Sequence, residues 1–306
     1  MNRREFLMTA AAAGFAGCAT SGEKKCCAKA GACGGKILFG ACRPLKDAAI
    51  LKAHGYDFFE TGVAGILKPT CSEEEWKKQK ELILNAPIPL RSCNGFLPGT
   101  FRITGPKADF APALDYAETI LRRAEEVGIK TIVFGSGGAR NVPGDFCSKN
   151  RSEHPNLEEG TAQYTEFCRQ LCKRTADLKD VSMVIEPLRP NESNIINFVW
   201  QGVQICKDVN SPRLNQLADI FHMMMGRECA RSIVEAGPLL KHCHIADYKS
   251  RQFPGFDPQY TERLRPYFQA LHEIGYTGGV SCECGWGEKG DLAKNLETAL
   301  KVMRSL

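Results

Sequence analysis

From Lys36 onward the chain alternates two apolar patterns. Short runs rich in β-branched and aromatic residues have strand length. Between them lie longer segments in which apolar residues recur every three or four positions, the period of an amphipathic helix. The strand-like runs are KILFGAC (36–42), YDFFETG (56–62), IPLRSCNGF (88–96), KTIVFGSGG (130–138), VSMVIEPL (181–188), LNQLADIFHM (214–223), LLKHCHIAD (239–247) and VSCECGW (280–286). Helical segments over 45–54, 72–86, 113–128, 158–178, 195–209, 227–236, 259–275 and 290–305 fill the intervals. Ser72 followed by Glu75 is a capping-box signature for the second of these, and Gly55 and Gly128 close the first and third.

Eight strands in strict alternation with helices predict a parallel sheet joined by right-handed crossovers. That number of units, over residues 36–306, has the size of a single-domain α/β fold, the (β/α)8 TIM barrel. A doubly wound open sheet is the alternative. It would need fewer strands and a Gly-rich phosphate loop after the first one, where this chain has GACRPL.

The first 35 residues break the pattern. Residues 1–18, with Arg3 and Arg4 before a short apolar stretch, read as a twin-arginine export leader. The sequence FAGC places Cys18 where a lipidated first residue would stand, although Phe15 is a poor match to such a box. Residues 19–35 are small and polar and read as a flexible, Cys-containing tether. The expected location is therefore the periplasm or a membrane-anchored lipoprotein, with membrane contact only through leader or lipid.

Charge narrows the partners. The net charge is +5, but residues 1–35 hold five cations against two acids, so the body is nearly neutral. A nucleic-acid partner is not expected. Of the fifteen cysteines, Cys42, Cys93, Cys243, Cys282 and Cys284 lie inside apolar strand-like runs, where a thiol acts as a small hydrophobe, and no CxxC pair of zinc-site spacing occurs. A homo-oligomer is compatible with the sequence, which does not specify one.

Chemistry in a barrel belongs at the C-terminal strand ends. Four potential ligands stand there on four successive strands: Glu186 in VIEPL, Asp219 in LADIFH, His244 in KHCHIAD and Glu283 in VSCECGW. Each carboxylate follows apolar residues. Burying three acids together is costly through desolvation and mutual repulsion, and a divalent cation relieves both. Three carboxylates and an imidazole suit Mn²⁺ first, with Mg²⁺, Co²⁺ or Zn²⁺ also compatible. Any one of these acids could instead cap a helix or pair with a Lys or Arg. His242, two residues before His244 on the same strand face, lies one layer deeper and reads as a hydrogen-bonded support. Asp247 is placed to orient the loop that follows, and Glu60 and Trp286 are expected at the rim of the pocket.

Taken in order, VIEPL, LADIFHM, KHCHIAD and GYTGGVSCE resemble the sugar isomerase/epimerase superfamily with xylose-isomerase-like TIM barrels, in particular its ketose 3-epimerase and hydroxypyruvate isomerase branches. The resemblance implies Glu186, Asp219, His244 and Glu283 as metal ligands, with Glu186 and Glu283 also catalytic. It implies Glu192, six residues after the first ligand, His222, three after the aspartate, and an arginine after the ligand histidine as substrate-binding groups. Arg251 is the nearest arginine, one residue beyond the family position, which holds Ser250. The implied reaction is proton transfer by two glutamates through a cis-enediolate of a free, non-phosphorylated ketose or related sugar, with the cation as Lewis acid. Three other readings stay open. One is a metal-dependent lyase or hydrolase that enolises a 3-keto-glycoside and eliminates its leaving group. Another is a non-catalytic sugar-binding lipoprotein. The third, an apurinic endonuclease on the same barrel, needs more histidines than the six present.

Overall fold

The structure is a computed structural model that describes residues 35–145, 147, 148, 151–287 and 291–306. The leader, Cys18 and the tether up to residue 34 lie outside the described residues.

Ten strands are present among the described residues: β1 (Leu38–Cys42), β2 (Phe58–Gly62), β3 (Leu90–Asn94), β4 (Thr131–Phe134), β5 (Cys147–Ser148), β6 (Arg151–Pro155), β7 (Ser182–Ile185), β8 (Leu214–Asp219), β9 (Leu240–Ile245) and β10 (Gly279–Cys282). Eight of them close a barrel in the order β1-β10-β9-β8-β7-β4-β3-β2. Every pairing in that ring is parallel. The open-sheet alternative is thereby excluded, and a single (β/α)8 barrel is the fold. The small antiparallel pair β5–β6, which the apolar pattern does not signal, lies in the connection after β4.

The helices form for local reasons that the sequence carries. In Glu73–Leu84 the Ser72 hydroxyl accepts from the Glu75 amide while the Glu75 carboxylate accepts from the Ser72 amide. Asp109, Asn156 and Asp291 cap the helices Phe110–Glu126, Leu157–Arg174 and Leu292–Ser305 with their side chains alone, accepting from the amides of Ala111, Glu159 and Ala293. Each such cap stabilises its helix by about 1 kcal/mol. The helix expected from 195 begins only at Val199, because the stretch before it is committed to a loop at the mouth.

The main apolar core lies between barrel and helices. The barrel interior is different. Its apolar filling includes a separate trio, Val133, Val184 and Leu217, on three adjacent strands. On the opposite wall Phe58 projects across Gly40 and Gly279, where any Cβ would overlap its ring. Above Phe58 the interior turns polar.

Candidate metal centre and substrate site

The parallel register puts Asp219 level with His244, and His244 level with Ser281, two residues before Glu283. Glu186 follows directly on β7. One ligand atom from each of Glu186, Asp219, His244 and Glu283 lies within 4.8 Å of all the others. The four residues read from the strand ends therefore converge on one point. His244 Nδ1 faces Glu186 Oε1 at 3.0 Å and Glu283 Oε2 at 3.7 Å.

The far side of the His244 ring is held from below. Its Nε2 stands 2.8 Å from Glu60 Oε1, while Glu60 Oε2 lies 2.7 Å from His242 Nε2 and accepts from Ser92 Oγ at 2.6 Å. His242 is thus a hydrogen-bonded support one layer down, and Glu60 is the group that joins the two histidines. Glu60 is not at the rim: it is wholly buried in the barrel interior. A register shift between Phe59 and Glu60 in the β2–β3 pairing accompanies this placement.

Electrostatics follow from this packing. Burial pushes Glu60 up, but His244 and His242 outweigh it and hold the carboxyl well below its usual range. Burial pulls His244 down, yet Glu60 and Glu283 drive it well above an ordinary imidazole. Glu186 is raised, by burial first and then by Glu283. Asp219 is lowered, His222 and His244 outweighing burial. The cluster attracts positive charge. Its donor set fits a hard divalent cation: three carboxylates and one imidazole, whose remote nitrogen already has a carboxylate partner that fixes ring orientation.

Around this cluster runs a second set of polar groups. Arg251 donates from Nη1 to Glu192 Oε1 at 3.0 Å and from Nη2 to Glu283 Oε2 at 2.9 Å. Arg251, not Ser250, is therefore the residue that reaches the site. It sits in the left-handed region, at φ 52°, and its amide donates to the Asp247 carbonyl, so Asp247 does shape this loop. The Asp247 carboxylate accepts from the Asp257 amide at 2.7 Å, tying in the following segment. His222 is buried, with Nε2 at 3.6 Å from Asp219 Oδ2 and 3.8 Å from Glu192 Oε2, and that nitrogen has no hydrogen-bond partner among the described residues. Trp286 lies in the loop after β10 as expected, but it is buried and stacked on Phe253, with ring centroids 5.9 Å apart.

Two contributors escaped the sequence reading. Asn94, the last residue of β3, donates to Glu283 Oε1 at 2.7 Å, so Glu283 is held from both sides. The signal existed, since Asn94 is a polar residue at a C-terminal strand end. Arg140 is fully buried and donates to the carbonyls of Phe134, Glu186 and Ile196 and to Ser193 Oγ. It pins the loop between Glu186 and Val199, which carries Glu192. Burial lowers its pKa without a carboxylate bonded to it.

The fold and the site define a class: a (β/α)8 barrel with a buried carboxylate–histidine cluster at the C-terminal strand ends. Residues 48–306 match the family of xylose isomerase-like TIM barrels, and the chain belongs to that family. An L-ribulose 3-epimerase of Methylomonas sp. (strain DH-1) is 25% identical over 190 residues, 62% of this chain and 62% of its own length. A D-psicose 3-epimerase of Agrobacterium fabrum is 32% identical over 107 residues, 34% of this chain and 35% of its own length. The chain thus spans less than two thirds of either relative. Among solved structures, the 3-keto-D-glucoside 4-epimerase YcjR from E. coli superposes with a TM-score of 0.70 at 21% identity, over 89% of this chain and 100% of that one.

Proposed function

We propose that this protein is a divalent-metal-dependent sugar epimerase or isomerase acting on a free ketose or a related sugar through a cis-enediolate. The observation that carries the reading is the convergence of Glu186, Asp219, His244 and Glu283 within 4.8 Å, ringed by groups suited to sugar hydroxyls. The named relatives, all sugar epimerases, support the substrate class.

Glu186, Asp219, His244 and Glu283 would hold the cation, Mn²⁺ in the first instance. When bound, it supplies Lewis-acid stabilisation of negative charge on the substrate oxygens. This chain's own residues do the rest. Glu186 and Glu283 take and return the carbon-bound proton. Burial and Glu283 raise the pKa of Glu186, which suits it to carry a proton between steps. Arg251 and Asn94 hold Glu283 from both sides and fix the direction of its lone pairs. His222 Nε2, buried and without a partner, is directed to a sugar hydroxyl, as are Glu192 and Arg251. Return of the proton to the opposite face epimerises; return to the neighbouring carbon isomerises.

An activity screen tests this: free ketoses and 3-keto-glucosides, with Mn²⁺ added and Glu283→Gln as control. Turnover of at least one sugar, abolished in the variant, is expected. Turnover that persists in Glu283→Gln contradicts the assignment. Export by the twin-arginine leader and lipidation at Cys18 belong to the same proposal, and fractionation of cells producing an Arg3→Lys/Arg4→Lys variant tests the former.

A further inference from the structure

The opposite end of the barrel holds a cavity that the proposed reaction does not use. It occupies about 660 Å³ at the N-terminal mouth. Thr131, Ser182 and Asn215, at the starts of β4, β7 and β8, form its polar inner wall. Phe58, packed across Gly40 and Gly279 and 6.2 Å from the His242 ring, fills the barrel beneath the metal centre.

The charge of this cavity is one-sided. Arg91, Lys130, Lys179, Arg213 and Lys241 line it against the single acid Asp180, which is paired to Lys130 at 3.2 Å. Arg91, Lys179 and Lys241 have no carboxylate partner among the described residues. The Arg213 guanidinium is fixed in the wall by the carbonyls of Val181 and Lys179, both at 2.7 Å, neither of which neutralises it. Like charges gathered around a concavity repel, and stability alone gives no reason for them. Between these cations Ser182 and Asn215 add neutral polar groups to the wall.

We propose that this N-terminal cavity binds a phosphate-bearing anion. A dianionic phosphate offers several oxygens at once to guanidinium, ammonium and hydroxyl donors, which a monocarboxylate does not. The volume admits a small phosphorylated molecule or a lipid headgroup.

Calorimetric titration of the purified full chain with inorganic pyrophosphate and with glycerol 1-phosphate tests this. Cosedimentation with phosphatidylcholine vesicles, with and without phosphatidylglycerol, tests the headgroup source. The variant is Lys179→Glu/Lys241→Glu, two exposed positions. Saturable binding of either soluble probe, weakened about tenfold or more in the double variant and unchanged in Glu283→Gln, supports a small phosphorylated ligand. Cosedimentation that requires phosphatidylglycerol and is lost in the double variant supports the headgroup. No saturable binding in any arm, binding unaffected by the double variant, or binding abolished by Glu283→Gln overturns the proposal. Tighter binding of malonate than of pyrophosphate overturns the phosphate assignment.

Discussion

Replacing Glu60 by Gln removes one negative charge from the middle of a buried chain of hydrogen bonds. The carboxylate meets His244 at 2.8 Å, His242 at 2.7 Å and Ser92 at 2.6 Å. For His244 Nδ1 to face a cation, its Nε2 must carry the proton and donate to Glu60. A glutamine keeps one acceptor oxygen but turns an NH₂ group toward one of the two imidazoles. One ring therefore meets a donor with a donor and must rotate or change tautomer. Carboxylate partners of this type change metal affinity by roughly 10–100-fold, about 1.4–2.8 kcal/mol. We expect the Mn²⁺ dissociation constant of Glu60→Gln, measured by calorimetry, to rise by that factor, with the far-ultraviolet circular dichroism unchanged. A folded variant that binds Mn²⁺ within twofold of the wild type would refute the reasoning.

Three further outcomes follow from named contacts. At Gly135 a Cβ would overlap the Glu186 carboxylate, so Gly135→Ala should lower kcat/KM by roughly 100-fold while the protein melts as a folded domain; retained activity would show that Glu186 has room to move. Arg140→Met takes one donor from each of the carbonyls of Phe134, Glu186 and Ile196, of which Phe134 and Ile196 keep the amides of Glu186 and Leu188, so it should cost about 1–3 kcal/mol in urea unfolding, partly restored in Arg140→Lys. Glu125 is pushed up by burial, but the amides of Lys179, Val181 and Asp180 hold it below its ordinary value. Its contribution is present above the unfolded-state pKa and is lost as pH falls through the lower folded one. Solvent screens this carboxylate, so Glu125→Gln should cost well under about 1 kcal/mol at pH 7 and progressively less below pH 4.5, as read by denaturation at several pH values.

How much of this was legible in the chain depended on whether the signal was local. The barrel was, because each strand–helix alternation is written in its own apolar period. The convergence of Glu186, Asp219, His244 and Glu283 was, because parallel strands end on one side of a barrel and each of the four follows an apolar run. Arg251 was found by proximity, since a left-handed residue in its loop shifts which side chain points inward. Glu60 was misplaced by depth. FFETG looks the same whether its acid stands at the mouth or a layer below, and the β2–β3 register shift is a property of two strands together. Arg140 was missed because an arginine bonded to carbonyls across three segments has no neighbour in sequence that announces it.

The central claim is that Glu186 and Glu283 move a carbon-bound proton of a sugar. The most direct measurement is deuterium incorporation. The Mn²⁺-loaded protein is incubated in D₂O with free ketoses and 3-keto-glucosides, and the sugars are examined by proton NMR. The account predicts exchange at a carbon next to the carbonyl in at least one sugar, lost in both Glu186→Gln and Glu283→Gln. Absence of exchange from every sugar, with Mn²⁺ bound, would contradict it.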